Sequence, residues 1–145
     1  MRLKDNIMIS KTGIHATLAM ALLAQLGPGE YAGASQIADE VGAPRNYLGK
    51  LLKDLAARGL LESQKGYGGG FRLALAPDRI SLFDIIEPLD KVSKWNGCFL
   101  GRDKCSDKDP CAVHNQWSKI RTEYLQFLKN TSIEMLAKKK VKLTG

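Results

Sequence analysis

Apolar positions near the start of the chain recur with helical spacing. Ile14, Leu18, Leu22 and Leu26 stand four apart over residues 10–26, which predicts an amphipathic helix that buries this stripe. Pro28 and the glycines of LGPGEYAG then break the pattern. His15 lies beside the stripe and reads as a packing residue.

A shorter pattern follows. Ile37, Ala38 and Val41 mark a short helix with Ser35 as its expected N-cap. Gly42-Ala43-Pro44 predicts a tight turn, with Pro44 at the first position of a second helix. That helix buries Leu48, Leu51, Leu52 and Leu55 and should end at Arg58-Gly59. Ala38, Gly42 and Leu48 carry the helix-turn-helix pattern: a small residue where the helices cross, a glycine free to take positive φ, and an aliphatic locking the second helix to the first. The period then changes to two. Residues 60–64 read as a strand, 65–70 as a glycine-rich turn and 71–75 as a return strand. A helix-turn-helix followed at once by a basic, glycine-rich hairpin is a winged helix. A phosphate-cradling loop is the rival reading of the glycines, but no GK[ST] follows and no helix opens after them.

Ser81-Leu82-Phe83-Asp84 resembles a capping box opening a short helix, with Ile85 and Ile86 before Pro88. Beyond a polar stretch, Val113, Trp117, Ile120, Tyr124, Phe127 and Leu128 predict a long helix that packs on its own winged helix or on a second copy. Thr131-Ser132-Ile133-Glu134 caps a last short helix, and Lys138-Lys139-Lys140 begins a solvated tail. The expected fold is mainly α with a small β-wing. It comprises a winged helix-turn-helix domain over 1–80, a short helix and cysteine-bearing loop over 81–112, and a dimerisation helix, terminal helix and basic tail over 113–145.

Charge adds a partner to this architecture. The 145 residues carry a net charge of +7, which favours a polyanion such as nucleic acid. With 44% hydrophobic residues the chain can bury a core without disulfide staples. No apolar run reaches membrane-spanning length, and MRLKDNIMIS lacks the core of a secretory signal, so no membrane role and a cytoplasmic location are expected. On the second helix of the motif, Arg45, Asn46, Tyr47, Lys50 and Lys53 are left outside the leucine face. Arg and Asn suit base edges, and Lys suits phosphates. Ser35 before them and Lys65, Tyr67 and Arg72 on the wing complete the candidate DNA-binding set.

The cysteines add a second chemistry. Cys98, Cys105 and Cys111 are spaced by six and five residues, and His114 follows at C-x-x-H spacing. Three thiols and an imidazole form a soft donor set, open to an iron–sulfur cluster, to zinc or to metal-free thiol switching. Structural zinc usually takes ligands in close pairs, and here only Cys111 and His114 make one. Inert cysteines usually sit among apolar neighbours, whereas Cys105 lies in GRDKCSDKD. A Cys111–His114 nucleophile and base has no oxyanion motif, cofactor fingerprint or third orienting residue, so no enzyme is expected.

The opening Met1-Arg2-Leu3, the first helix beginning near Ser10-Lys11, the run NYLGKLLKDLAARGLLESQKGYGGGFRLA and the cysteine loop before a long helix together resemble the Rrf2 family. These are bacterial winged-helix transcription regulators, and the likeness, spanning nearly the whole chain, is to their cluster-binding branch. It implies a homodimer on a pseudo-palindromic double-stranded DNA operator. It also implies a cluster held by Cys98, Cys105 and Cys111, with His114 as fourth ligand, whose state controls DNA affinity. Three Cys with one His is best known with [2Fe–2S], which is therefore favoured over [4Fe–4S]. Other branches draw a fourth ligand from the first helix of the partner subunit, where Gly13 stands here. The alternative is a regulator of the same fold that senses thiol oxidation or a metabolite without metal.

Overall fold

The computed structural model describes residues 8–93 and 112–138. Six helices and one hairpin follow in order: α1 (Lys11–Leu23), α2 (Ala34–Val41), α3 (Arg45–Ala57), β1 (Leu61–Gln64), β2 (Gly70–Leu73), a 3-10 turn (Pro77–Arg79), α4 (Leu82–Asp90), α5 (His114–Asn130) and α6 (Ile133–Ala137). The mainly helical fold with a two-stranded wing and a long C-terminal helix is the one expected.

Ser10 caps α1 by accepting a hydrogen bond from the Gly13 amide at 3.0 Å. The buried face of α1 is not the predicted stripe. Ala16, Ala19, Met20, Ala21 and Leu23 are buried, whereas Ile14, Leu18, Leu22 and Leu26 are only half-buried. The reason is position: α2, α3, β2, α4 and α6 all pack on α1. Small side chains face the closest neighbours because they let the backbones approach, and the larger ones lie at the margins.

Gly33, not Ser35, is the N-cap of α2, and no side chain caps it. Ser35 is instead the second helical residue and exposed. The helix ends where Gly42 takes φ 79° and its amide donates to the Ala38 carbonyl at 2.8 Å. This left-handed conformation is easy only for glycine, and it turns the chain into α3. Pro44 precedes α3 as its N-cap rather than its first residue, because its ψ of 137° is extended. Leu48, Leu51, Leu52 and Leu55 are buried as their spacing predicts, and Arg58 closes the helix.

In the wing, β1 and β2 run antiparallel with Leu61 opposite Leu73 and Gln64 opposite Gly70. Phe71 also exchanges hydrogen bonds with Ala32, at 2.8 and 3.0 Å. Gly70 makes this crossing possible: a Cβ there would sit 2.3 Å from the Ala32 carbonyl oxygen. The return strand stops at Leu73, two residues before its predicted end, and Leu75 is exposed.

The capping box of Ser81 and Asp84 opens α4, which continues through Pro88 instead of stopping before it. Pro88 forfeits one helical bond, that to the carbonyl of the solvent-exposed Asp84. The starts of α4 and α6 are joined by Leu82 N–Thr131 O at 2.9 Å and Ile133 N–Ile80 O at 2.8 Å. Asp90, at the end of α4, accepts from the Ser10 amide at 2.7 Å and from its hydroxyl. Gly13 leaves room for this carboxylate, since a Cβ there would lie 2.9 Å from Asp90 Oδ2. The core gathers Met20, Ile37, Leu48, Leu52, Leu55, Ile80, Ile85, Ile86, Leu128 and Ile133. Thus α5 contributes Leu128 to its own subunit while Val113, Ile120 and Phe127 stay exposed. Among the described residues, no helix is long and apolar enough to cross a membrane.

Candidate nucleic-acid interface

Burying four leucines leaves α3 with a polar outer face. Asn46, Lys50 and Lys53 are exposed there, spaced four and three apart and so on one side of the helix. Arg45 is exposed too, but it is engaged. Its Nε donates to Asp39 Oδ1 at 3.1 Å and its Nη2 to Oδ2 at 2.9 Å, a fork joining α3 to α2. The hydrogen bond from Arg45 holds the Asp39 carboxyl below its ordinary range, and the same bond raises Arg45. Tyr47 is half-buried. Its hydroxyl lies 3.0 Å from His15 Nδ1 and donates to Thr12 Oγ1 at 3.2 Å, so the polar end of this side chain joins α3 to α1. The His15 and Tyr47 rings also meet edge to face at 5.5 Å. Burial pushes His15 below its ordinary pKa, and the charge of Lys11 adds to the shift.

On the wing, Lys65 and Tyr67 project from the turn, and Tyr67 is fully exposed. Arg72 is committed within the hairpin. It donates through Nε to Glu62 at 2.9 Å and lies 4.7 Å over the Tyr31 ring. The predicted DNA-binding residues therefore divide in two. Ser35, Asn46, Lys50, Lys53, Lys65 and Tyr67 are exposed to solvent, while Arg45, Tyr47 and Arg72 are held by partners within the fold. Sequence reasoning missed Asp39, Thr12, Tyr31 and Glu62. The hairpin register sets Glu62 directly opposite Arg72, one position off the pairing implied by a turn over 65–70. Asp39 is six residues from Arg45 across a turn, a spacing that no helical pairing rule selects.

Cys98, Cys105 and Cys111 lie outside the described residues. His114 is the first residue of α5, and it is the buried polar side chain of the described core, at 8% exposure. A buried imidazole beside the cysteine segment suits a soft-metal donor. Among the described residues, no three His, Cys, Asp or Glu side chains group as a metal site. A centre built on His114 would accordingly draw its thiolates from the three cysteines. On the other flank of the segment, Glu87 of α4 accepts from the Ser93 amide at 2.9 Å and from its hydroxyl.

A helix-turn-helix with a polar, basic second helix, a glycine-rich wing and a long C-terminal helix defines a winged-helix transcription regulator. The chain belongs to the Rrf2 family, described as iron-dependent transcriptional regulators, whose model matches residues 9–139. This is a family of DNA-binding regulators rather than enzymes. An Aquifex aeolicus protein provisionally named as an HTH-type transcriptional regulator is 36% identical over 132 residues, covering 90% of this chain and 91% of that protein. The HTH-type transcriptional regulator IscR of Aliivibrio salmonicida is 32% identical, covering 83% of this chain and 69% of its own length. Among solved structures, CymR, the global cysteine regulator of B. subtilis, superposes with a TM-score of 0.78 at 26% identity, covering 94% of this chain and all of that one.

Proposed function

We propose that the protein is a homodimeric transcription regulator that reads a pseudo-palindromic double-stranded DNA operator and is switched at its cysteine segment. The observation that carries the DNA reading is the outer face of α3, where Asn46, Lys50 and Lys53 stand exposed beside one another ahead of a wing bearing Lys65 and Tyr67. Asn46 supplies a base-edge donor and acceptor, and the lysines contact phosphate. Ser35, Arg45, Tyr47 and Arg72 complete the surface, the last two chiefly by holding it in shape. The dimer rests on α5. Val113, Ile120 and Phe127 repeat every seven residues and are 36%, 55% and 55% exposed, an apolar seam that a second copy covers. Two-fold pairing then presents two recognition helices to symmetric half-sites.

The switch has two readings. In the first, the thiols of Cys98, Cys105 and Cys111 respond to oxidation or to a thiol-reactive metabolite without metal; the likeness of 94% of the chain to CymR, a protein also solved in an oxidized form, supports it. The second is favoured by the donor set itself, with His114 buried beside the segment, and by the relationship to IscR. There, Cys98, Cys105, Cys111 and His114 hold an iron–sulfur cluster, [2Fe–2S] in preference to [4Fe–4S]. When bound, such a cluster supplies bonds that iron loss, oxidation or nitric oxide alters.

In both readings the same residues carry the change to the DNA. Ser93 ties one end of the segment to α4, and His114 begins α5 at the other. Asp90 ties α4 to the start of α1, and His15 and Thr12 tie α1 to Tyr47 of α3. Iron and acid-labile sulfide analysis of anaerobically purified protein separates the readings. Stoichiometric iron and sulfide, with a spectrum or lability altered by His114→Ala, supports the cluster. Metal-free protein whose operator affinity changes on thiol oxidation supports the thiol switch. Operator binding indifferent to iron, sulfide and oxidant contradicts both.

A further inference from the structure

We infer that Asp39 is a positioning residue that sets Arg45 to read a guanine in each operator half-site. The inference rests on α3 being the DNA-reading helix. Arg45 is the first residue of α3, and the N-terminal end of a recognition helix is the part that reaches base edges in the major groove. Left free, an arginine here would sample many rotamers and favour the nearest phosphate, contributing charge without sequence preference. It is not free. Asp39 engages it side-on through Nε and Nη2, at 3.1 and 2.9 Å. A planar guanidinium has two usable edges. The side edge is occupied by Asp39. The end edge, formed by one N–H of Nη1 and the second N–H of Nη2, remains as a pair of parallel donors, the geometry that matches guanine O6 and N7.

Exposure supports this use. The side chains are 64% and 58% accessible, so the fork is held at the surface and not sequestered in the core. No packing requirement explains a fixed arginine at that place. The carboxylate also removes Arg45 from the pool of free cations, because the pair is neutral as a unit. Asp39 thereby sharpens sequence preference at the expense of general attraction to DNA.

That combination distinguishes a positioning role from a merely structural one. Selection from a random duplex pool, using the full chain purified anaerobically and again after iron chelation, reads both effects. The wild type should enrich a guanine at one position per half-site. Asp39→Ala should lose about 5- to 100-fold of that preference. It should also bind non-specific DNA more tightly, with a log–log salt slope steeper by about 0.9, as Arg45 turns to a phosphate. Arg45→Lys should weaken the guanine preference without the steeper slope, since an ammonium keeps the charge but cannot engage Asp39 side-on and present a second planar donor pair at once. Unchanged thermal unfolding of both variants verifies that the exposed pair is not needed for folding. Retention of the same guanine by Asp39→Ala, or an equal loss of affinity for every sequence, overturns the inference and leaves the DNA-reading assignment standing. A wild type that enriches no sequence in either form overturns that assignment and the inference with it.

Discussion

At the scale of single residues, His15 and Tyr47 show how a side chain next to the proposed reading surface can support it indirectly. Tyr47→Phe removes both hydroxyl contacts to α1 and should cost about 1 kcal/mol of stability in urea unfolding. His15 is held below its ordinary pKa of 6.5. Its neutral form is therefore the native one, and the unfolded chain takes up the proton first as the pH falls. The stability that His15 contributes is present above about pH 6.5 and is lost as acidification proceeds towards the lower native pKa. His15→Gln should flatten the dependence of the urea midpoint between pH 5 and 7; an unaltered slope would remove His15 from the account. Gly42→Ala should cost about 1–2 kcal/mol, because a Cβ opposes the left-handed turn between α2 and α3. The need for glycine at 42 was legible from its place between two helical patterns. The joint at Tyr47 was not, because an aromatic on the polar side of a helix looks equally fit for a base or for a neighbouring helix.

Helices differ in how far their pattern betrays their environment. The leucines of α3 are four clear positions on one face, with a solvated face opposite, and all four are buried. In α1 the periodic Ile14, Leu18 and Leu22 marked the margin of the packing and not its centre, since a helix packed on by several elements buries alanines where the neighbours come closest. Amphipathic spacing identifies one buried face and has little to say when a helix is surrounded. The long helix α5 carries both kinds of information, with Leu128 committed to its own core and Ile120 and Phe127 exposed. Ile120→Glu with Phe127→Glu should yield a monomer in sedimentation equilibrium at micromolar concentration and lower operator affinity by at least about tenfold, since the half-sites are then bound singly. A dimer of unchanged strength would place the interface elsewhere. On the wing and recognition helix, Lys65→Ala and Lys53→Ala should weaken binding to every sequence. Each should make the salt slope shallower by about 0.9, because one phosphate is no longer neutralised. Arg72→Ala should do less, because Glu62 already balances that charge.

At the scale of the molecule, the proposal gives DNA reading to the N-terminal half and the dimer seam to α5, with the cysteine segment between them in the sequence. The donor chemistry of that segment was the plainest feature of the sequence, since soft ligands are recognisable by type and spacing alone. What spacing could not supply was the mechanical setting. Glu87 holds Ser93, Asp90 holds Ser10, and His15 holds Tyr47, contacts between residues 6, 80 and 32 positions apart. The two most distant pairs meet only through the tertiary fold, which brings α4, α1 and α3 onto one core. Chemistry at the cysteines is proposed to change DNA affinity. This is tested most directly by measuring operator affinity of the anaerobic protein before and after iron chelation and thiol oxidation, beside a variant carrying Cys98→Ser, Cys105→Ser and Cys111→Ser. At least one treatment should shift the wild-type Kd by about tenfold or more, a coupling of about 1.4 kcal/mol, and leave the variant unmoved. Equal affinity of the wild type in all its forms would contradict the account.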